Sequence, residues 1–231
     1  MDLTTTGRYR VLGRPRDSDE LLLIDAAEGS SASRRTVSGD VDIDADGDAG
    51  GADADAEAFG PTYVAATGYD GELGEGVASL EAGNLVDARL SWADGDPRFE
   101  SVEVIAETTF EFLDGVTGMF EAAKETWWAA EADGEAMNGR VTRDTDGEPN
   151  GALYVFAKQS GARDLFEEFK NGVTPLEPLV ERANEGGDRA PETEQPRAVF
   201  VMRPADEPFL VVYIAFRRDG MLARTVRDTY A

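Results

Sequence analysis

The sequence contains no histidine and no cysteine. Without cysteine there are no disulfides, no thiolate metal sites and no thiol nucleophile. Without histidine as well, the Ser–His–Asp and Cys–His triads, the usual zinc ligand sets and the commonest general acid–base are excluded. Catalysis on this chain would have to use carboxylates, Lys, Tyr or Ser, with any metal a hard divalent cation held by oxygen. Positive charge is scarce too: 22 Lys plus Arg stand against 47 Asp plus Glu, for a formal net charge of −25. Lysine occurs only as Lys124, Lys158 and Lys170. No apolar run approaches the roughly 18 residues of a membrane span, and Met1–Thr6 lacks the apolar core of a secretory signal.

A net charge this far from zero destabilises a compact chain by self-repulsion unless counterions screen it. In molar salt the Debye length shrinks to about 3 Å. The acidic residues are scattered through nearly every segment, whereas a nucleic-acid mimic gathers them on one face or in a tail. The expectation is a cytoplasmic protein of a salt-accumulating halophile.

Gly7–Leu12 and Leu21–Ile24 read as strands. From Glu28 to Gly60 the chain turns to Ser, Gly, Ala and Asp, with too little apolar surface to offset the entropy of ordering, so a disordered acidic insertion is expected. Thr62–Thr67 reads as a third strand and Glu72–Glu81 as a weak amphipathic helix carrying Leu73, Val77 and Leu80. Leu85–Trp92 alternates apolar and polar residues, Asp94-Gly95 makes a turn, and Phe99–Phe112 is a long or broken strand. This β-β-β-α-β-β order is that of an OB-like small barrel.

The second half changes style. Asp114–Ala132 predicts a helix with Phe120, Ala123 and Trp127 on one stripe, Leu153–Phe156 a buried strand, and Ala162–Lys170 and Pro175–Asn184 helices. Ala198–Met202 and Phe209–Phe216 are strands joined by a hairpin turn at Pro204–Pro208; Met221–Tyr230 is a last short element of open type. The expected architecture is α+β: an OB-like β barrel over 1–113, then an antiparallel sheet with helices on one side over 114–231.

Because basic residues are rare, their clustering carries information. Arg8, Arg10, Arg14 and Arg16 crowd the first strand and the turn after it, and Arg217, Arg218, Arg224 and Arg227 crowd the C-terminus. On a barrel, Arg14 and Arg16 would sit in the first inter-strand loop, a usual ligand-binding edge. They could contact phosphate or RNA, or pair with the surplus carboxylates, which suits arginine geometry. Molar salt removes most counterion-release affinity, so an RNA ligand would need stacking partners such as Tyr63, Tyr69, Trp92 and Phe99. Trp127 and Trp128 diverge by about 100° on a helix, so one fills the core and the other, Trp128, is the candidate partner contact.

Two acidic runs resemble metal loops: Asp42, Asp44, Asp46, Gly47, Asp48 and Asp53, and the shorter Asp144, Asp146 and Glu148 around Gly147. The first lacks flanking helices, and the second reads equally as a polar turn. Gly13, Gly68, Gly71 and Gly74 form no phosphate-binding fingerprint.

Gly7–Leu12, Gly151–Phe156 and Phe209–Tyr213 are similar to a haloarchaeal family of unknown function. That resemblance implies a halophile cytosolic protein and carries no activity or site residues. The sequence thus points to a non-catalytic binding protein, of RNA or a protein partner, with binding residues Arg8, Arg10, Arg14, Arg16, Tyr63, Trp92 and Trp128. It points to no cofactor, metal, membrane or DNA motif, and leaves the oligomeric state open. The alternatives are a carboxylate and divalent-metal enzyme, and a structural partner protein docking through the Trp127–Trp128 helix.

Overall fold

A computed structural model describes residues 3–14, 19–26, 61–93, 96–158, 161, 164–185 and 190–231. The acidic insertion about 28–60 with its calcium-like run, Arg16, and the turn at Asp94-Gly95 lie outside the described residues.

The first five strands form one sheet: β1 (Leu3–Gly13), β2 (Glu20–Asp25), β3 (Thr62–Ala65), β4 (Leu85–Ala93) and β5 (Asp96–Ala106). Their order is β3-β2-β1-β4-β5, all antiparallel. The sheet curls so that β5 comes back against β3, giving a barrel-like N-terminal part. Helix α1 (Gly71–Ala78) lies between β3 and β4 in sequence and presents Val77 to the interior. The alternation in the sequence decides what fills that interior. Tyr9 and Val11 of β1, Leu21 and Leu23 of β2, Val64, Val86, Ala88, Leu90 and Phe99 point inward and pack with Val77 and Leu80.

Part of the opposite parity of β1 and β2 also fails to reach solvent. Leu12, Leu22 and Ile24 are buried against the second half of the chain. That half is a second sheet of order β6-β9-β10-β8-β7, built from β6 (Thr109–Val116), β7 (Met137–Arg143), β8 (Pro149–Ala157), β9 (Ala198–Pro204) and β10 (Phe209–Ala215). The strand expected over 99–112 is broken at Glu107-Thr108, and its two pieces serve different sheets. Strands β9 and β10 form the expected hairpin and are buried on both faces.

Two expectations for this half are corrected. The sheet is mixed: β6 runs parallel to β9 and the other pairs are antiparallel. Helices also cover both faces. Helix α2 (Glu121–Asp133) and the last element, a helix α5 (Met221–Tyr230), set Ala123, Trp127, Ala223 and Val226 against Phe200, Met202, Val211 and Tyr213. Helices α3 (Leu165–Asn171) and α4 (Glu177–Asn184) set Phe166, Phe169, Val180 and Ala183 against the other face. The reason lies in β9 and β10, whose runs Ala198–Met202 and Phe209–Ala215 are apolar at both parities and need cover on both sides.

Helix α2 begins seven residues after the position read from the sequence. Gly115, at a register shift within β6, and Gly118, just after it, adopt φ of +66° and +68°, and Phe120 is an extended N-cap. Among the described residues no helix is long and apolar enough to cross a membrane.

Candidate functional site

The four N-terminal arginines part company. Arg8 and Arg10 share the outer parity of β1, as alternation requires, but meet different surroundings. Arg8 forms a two-pronged pair with Asp87 of β4, its Nε and Nη2 donating at 2.7 and 2.8 Å, with both side chains 44% exposed. The hydrogen bonds from Arg8 hold the Asp87 carboxyl below its ordinary range.

Arg10 lies where the second half closes over the barrel, at 1% exposure. It donates to Glu177 at 2.8 and 2.7 Å, to Glu192 at 2.6 and 3.1 Å, and to the Gly83 carbonyl at 2.9 Å. Those bonds use all the N–H donors a guanidinium has, and its face lies 5.6 Å from the Phe110 ring centre. Burial alone would lower its pKa, but Glu177 and Glu192 outweigh it and the value is raised. Burial alone would raise that of Glu192. The Arg10 charge, with hydrogen bonds from Arg10, Thr108 and Asn184, instead holds it below the usual carboxylate range.

The network extends through Asn184, whose amide reaches Glu192 at 3.3 Å and whose oxygen accepts from Arg197 at 3.1 Å. Arg197, also buried, donates to the Phe216 and Ala190 carbonyls at 2.6 and 2.7 Å. Two arginines and two glutamates are thus enclosed together, a formally neutral set. The sequence offered Arg10 as a ligand contact; the structure commits its guanidinium to joining the barrel to α4 and the segment before β9.

Arg14 is exposed at the start of the β1–β2 connection. It lines a cleft of about 520 Å³ with Gly13, Leu80, Glu81, Ala82, Thr109, Phe110 and Glu111. The cleft runs between the barrel and the edge of β6, where the Phe110 N–H donates to the Ala82 carbonyl at 2.8 Å. Glu111 is neutralised by Arg227 at 2.7 Å. Thr109 carries the one buried side-chain polar atom without a hydrogen-bond partner among the described residues, its Oγ1.

The aromatic candidates are dispersed. Tyr63 is half-buried against the shared core, and Phe99 is inside the barrel. Trp92 is partly exposed, its indole N–H donating to Thr5 Oγ1 at 2.7 Å. Tyr69 carries Arg98 over its ring at 4.7 Å. On α2 the expected division holds: Trp127 is 8% exposed and stacks on Phe209, while Trp128 is 54% exposed. The neighbours of Trp128 at helical spacing are Lys124, Glu125, Glu131 and Ala132, so it has no large apolar neighbour on its own helix.

Asp144, Asp146 and Glu148 are all exposed in the β7–β8 turn. Asp144 Oδ1 accepts from the backbone of Asp146 and Glu148 at 3.0 and 2.9 Å, the bonds of a turn and not a convergent ligand set. Among the described residues no group of three Asp or Glu is placed to hold a metal ion.

A polar assembly that sequence reasoning missed lies where β6 and β9 end. Arg203 bonds Asp114 and Asp164, the N-cap of α3, with its guanidinium 4.5 Å above Phe166. The hydrogen bonds from Arg203 hold Asp114 low. Lys158 donates to the Pro204 and Glu207 carbonyls, and burial, with Arg203 nearby, lowers its pKa. The signal that could have found part of it is Asp164, a residue type favoured at helix N-caps. Of the C-terminal arginines, Arg218 pairs with Glu107 at 2.9 Å and Arg227 with Glu111.

The chain belongs to a family of unknown function (DUF6663), whose model matches residues 1–231. No curated protein and no solved structure matches it.

Proposed function

We propose that this chain is a non-catalytic binding protein of a salt-rich cytosol, that its barrel is of the OB type, and that RNA, free or in ribonucleoprotein, is its ligand. The strand order β3-β2-β1-β4-β5, the return of β5 to β3 and the position of α1 between β3 and β4 support the OB reading. Barrels of that type bind on the face of strands 2 and 3 and on adjoining loops. Here Leu22, Ile24 and Tyr63 of that face pack against α3 and α4, so a ligand is left the loop side.

The observation that carries the reading is Arg14 at the cleft beside β1. A cation stands at the rim, apolar walls come from Leu80, Ala82 and Phe110, and Thr109 belongs to the lining with its unpartnered hydroxyl buried behind the surface. A cleft of this size accommodates a single small group such as one nucleotide. In molar salt long-range attraction is screened, so Arg14 acts through direct contact and the apolar walls supply the rest of the affinity.

The test is fluorescence anisotropy with short single-stranded RNA oligonucleotides in molar KCl. Binding should fall about tenfold or more in Arg14→Glu, with the far-ultraviolet spectrum unchanged. Absence of binding to every oligonucleotide, or equal binding by Arg14→Glu, would overturn the proposal.

A further inference from the structure

Strand β7 is an edge of the second sheet, with no strand on its outer side among the described residues. Proteins usually blunt such an edge with charged side chains, proline, a bulge, a short strand or a cover; β7 carries Arg140 and Arg143, of which Arg140 is drawn back to α2. This one is seven residues long, lacks proline, and exposes Met137 by 38% and Val141 by 47%. The hydrogen-bond phase settles which groups it offers. The Ala157 N–H donates to the Ala136 carbonyl at 2.7 Å, and the register pairs Asn138 with Val155 and Arg140 with Leu153. Antiparallel ladders alternate, so the N–H and C=O of Met137, Gly139 and Val141 point to the open edge. Asn138 Oδ1 accepts the Gly139 N–H at 2.7 Å, a local cap for one of them.

We infer that this edge pairs with the β7 edge of a second copy of the chain, antiparallel about a two-fold axis at Gly139, joining the two sheets into one. The sequence of β7 is self-complementary in that register. Met137 faces the partner's Val141, and Val141 faces the partner's Met137, so the two exposed apolar side chains of each copy cover those of the other. Arg140 faces the partner's Asn138. Arg143, which also donates to the Gly147 carbonyl at 2.8 Å, comes level with the partner's Glu135 in the turn before β7, so opposite charges stand near each other at both ends. Shifting the axis by one residue to Arg140 sets that arginine against the partner's Arg140, which like-charge repulsion disfavours.

Gly139 also suits the axis. The Tyr154 ring lies where its Cβ would be, 2.5 Å away, so the position stays flat where the two backbones meet. On the other face Asn138 and Arg140 reach back to α2, at the Thr126 and Ala122 carbonyls, and so do not obstruct the approach. Such an isologous contact closes on itself, which the open edge of a monomer does not.

The test is the solution mass of the full chain in molar KCl, by sedimentation equilibrium across protein concentration. The wild type should be a dimer. Val141→Lys should raise the dimer dissociation constant about tenfold or more without changing the far-ultraviolet spectrum. Arg143→Glu should weaken the dimer, and adding Glu135→Arg to it should restore most of the loss. A wild type that stays monomeric at every concentration would overturn the inference. So would a dimer indifferent to Val141→Lys, which would place the interface elsewhere.

Discussion

Replacing Arg10 by methionine keeps the aliphatic reach of the side chain and removes the charge. Glu177 and Glu192, each 6% exposed, are then left enclosed without their cation, and the Gly83 carbonyl loses a donor. Breaking a buried pair from one side costs about 3–5 kcal/mol, because the surviving charge has lost its partner and regains no water. Two carboxylates depend on this one guanidinium, which places Arg10→Met at the upper end. A chain of this length loses about 2–4 °C of melting temperature per kcal/mol, so the melt should fall by roughly 10–20 °C. Arg8→Met, two residues away on the same strand, breaks a pair that is nearly half exposed, and its cost should be within about 1 kcal/mol. The assay is thermal unfolding followed by circular dichroism at constant molar KCl. The triple variant Arg10→Met, Glu177→Gln, Glu192→Gln removes the three charges that bond one another, leaves Arg197 on its Asn184 and backbone carbonyl partners, and should recover part of the loss. Equal melts for Arg8→Met and Arg10→Met would refute the reasoning, as would a triple variant no better than Arg10→Met alone.

Trp127→Ala should cost about 3–5 kcal/mol through the cavity left against Phe209, whereas Trp128→Ala should stay within about 0.5 kcal/mol; urea titrations of both separate a core residue from a surface one. Glu192 has its folded pKa lowered below 4.5, so its contribution is present above that pH and is lost as pH falls through the folded value. Stability measured in acid should therefore drop less steeply in Glu192→Gln than in the wild type. Gly172 caps α3 with φ of +73°, and a Cβ there would lie 2.5 Å from Leu12 Cδ1 and 3.0 Å from Ile24 Cδ1. Gly172→Ala should thus cost roughly 2–4 kcal/mol by strain and overpacking, read from the urea midpoint.

Elements whose local pattern agrees with their burial were readable in the sequence. The alternation of β1, β2 and β4 places Tyr9, Val11, Leu21, Leu23 and Val86 inside the barrel, and the apolar runs of β9 and β10 are strands. Strand β7 escaped because Met137–Arg143 contains Asn, Gly and two arginines and is mostly exposed. Pairing with β8, and not side-chain pattern, makes it a strand. The helix spacing of Asp114–Ala132 overran because Asp114–Val116 could serve either element, and only pairing with β9 decides for β6. Helices on both faces of the second sheet were implicit in the two-sided apolarity of β9 and β10, a clue the one-sided reading passed over.

The site was less readable, for a physical reason that also sorts its residues. Strand parity says that Arg8 and Arg10 share a face; it cannot say that Glu177, 167 residues further on, comes to cover one and not the other. In a chain with more than twice as many acidic as basic residues, a guanidinium at the folded surface readily finds a carboxylate. Arg8, Arg140, Arg203, Arg218 and Arg227 all do so. Clustering of arginines in the sequence therefore marks where the fold needs cations as readily as where a ligand does. Position separates the two uses. An arginine between two parts of the chain, as Arg10 is, holds them in one arrangement, and its loss should appear as lost stability. An arginine at the rim of a cleft, as Arg14 is, stands where a ligand can reach it, and its loss should appear in binding.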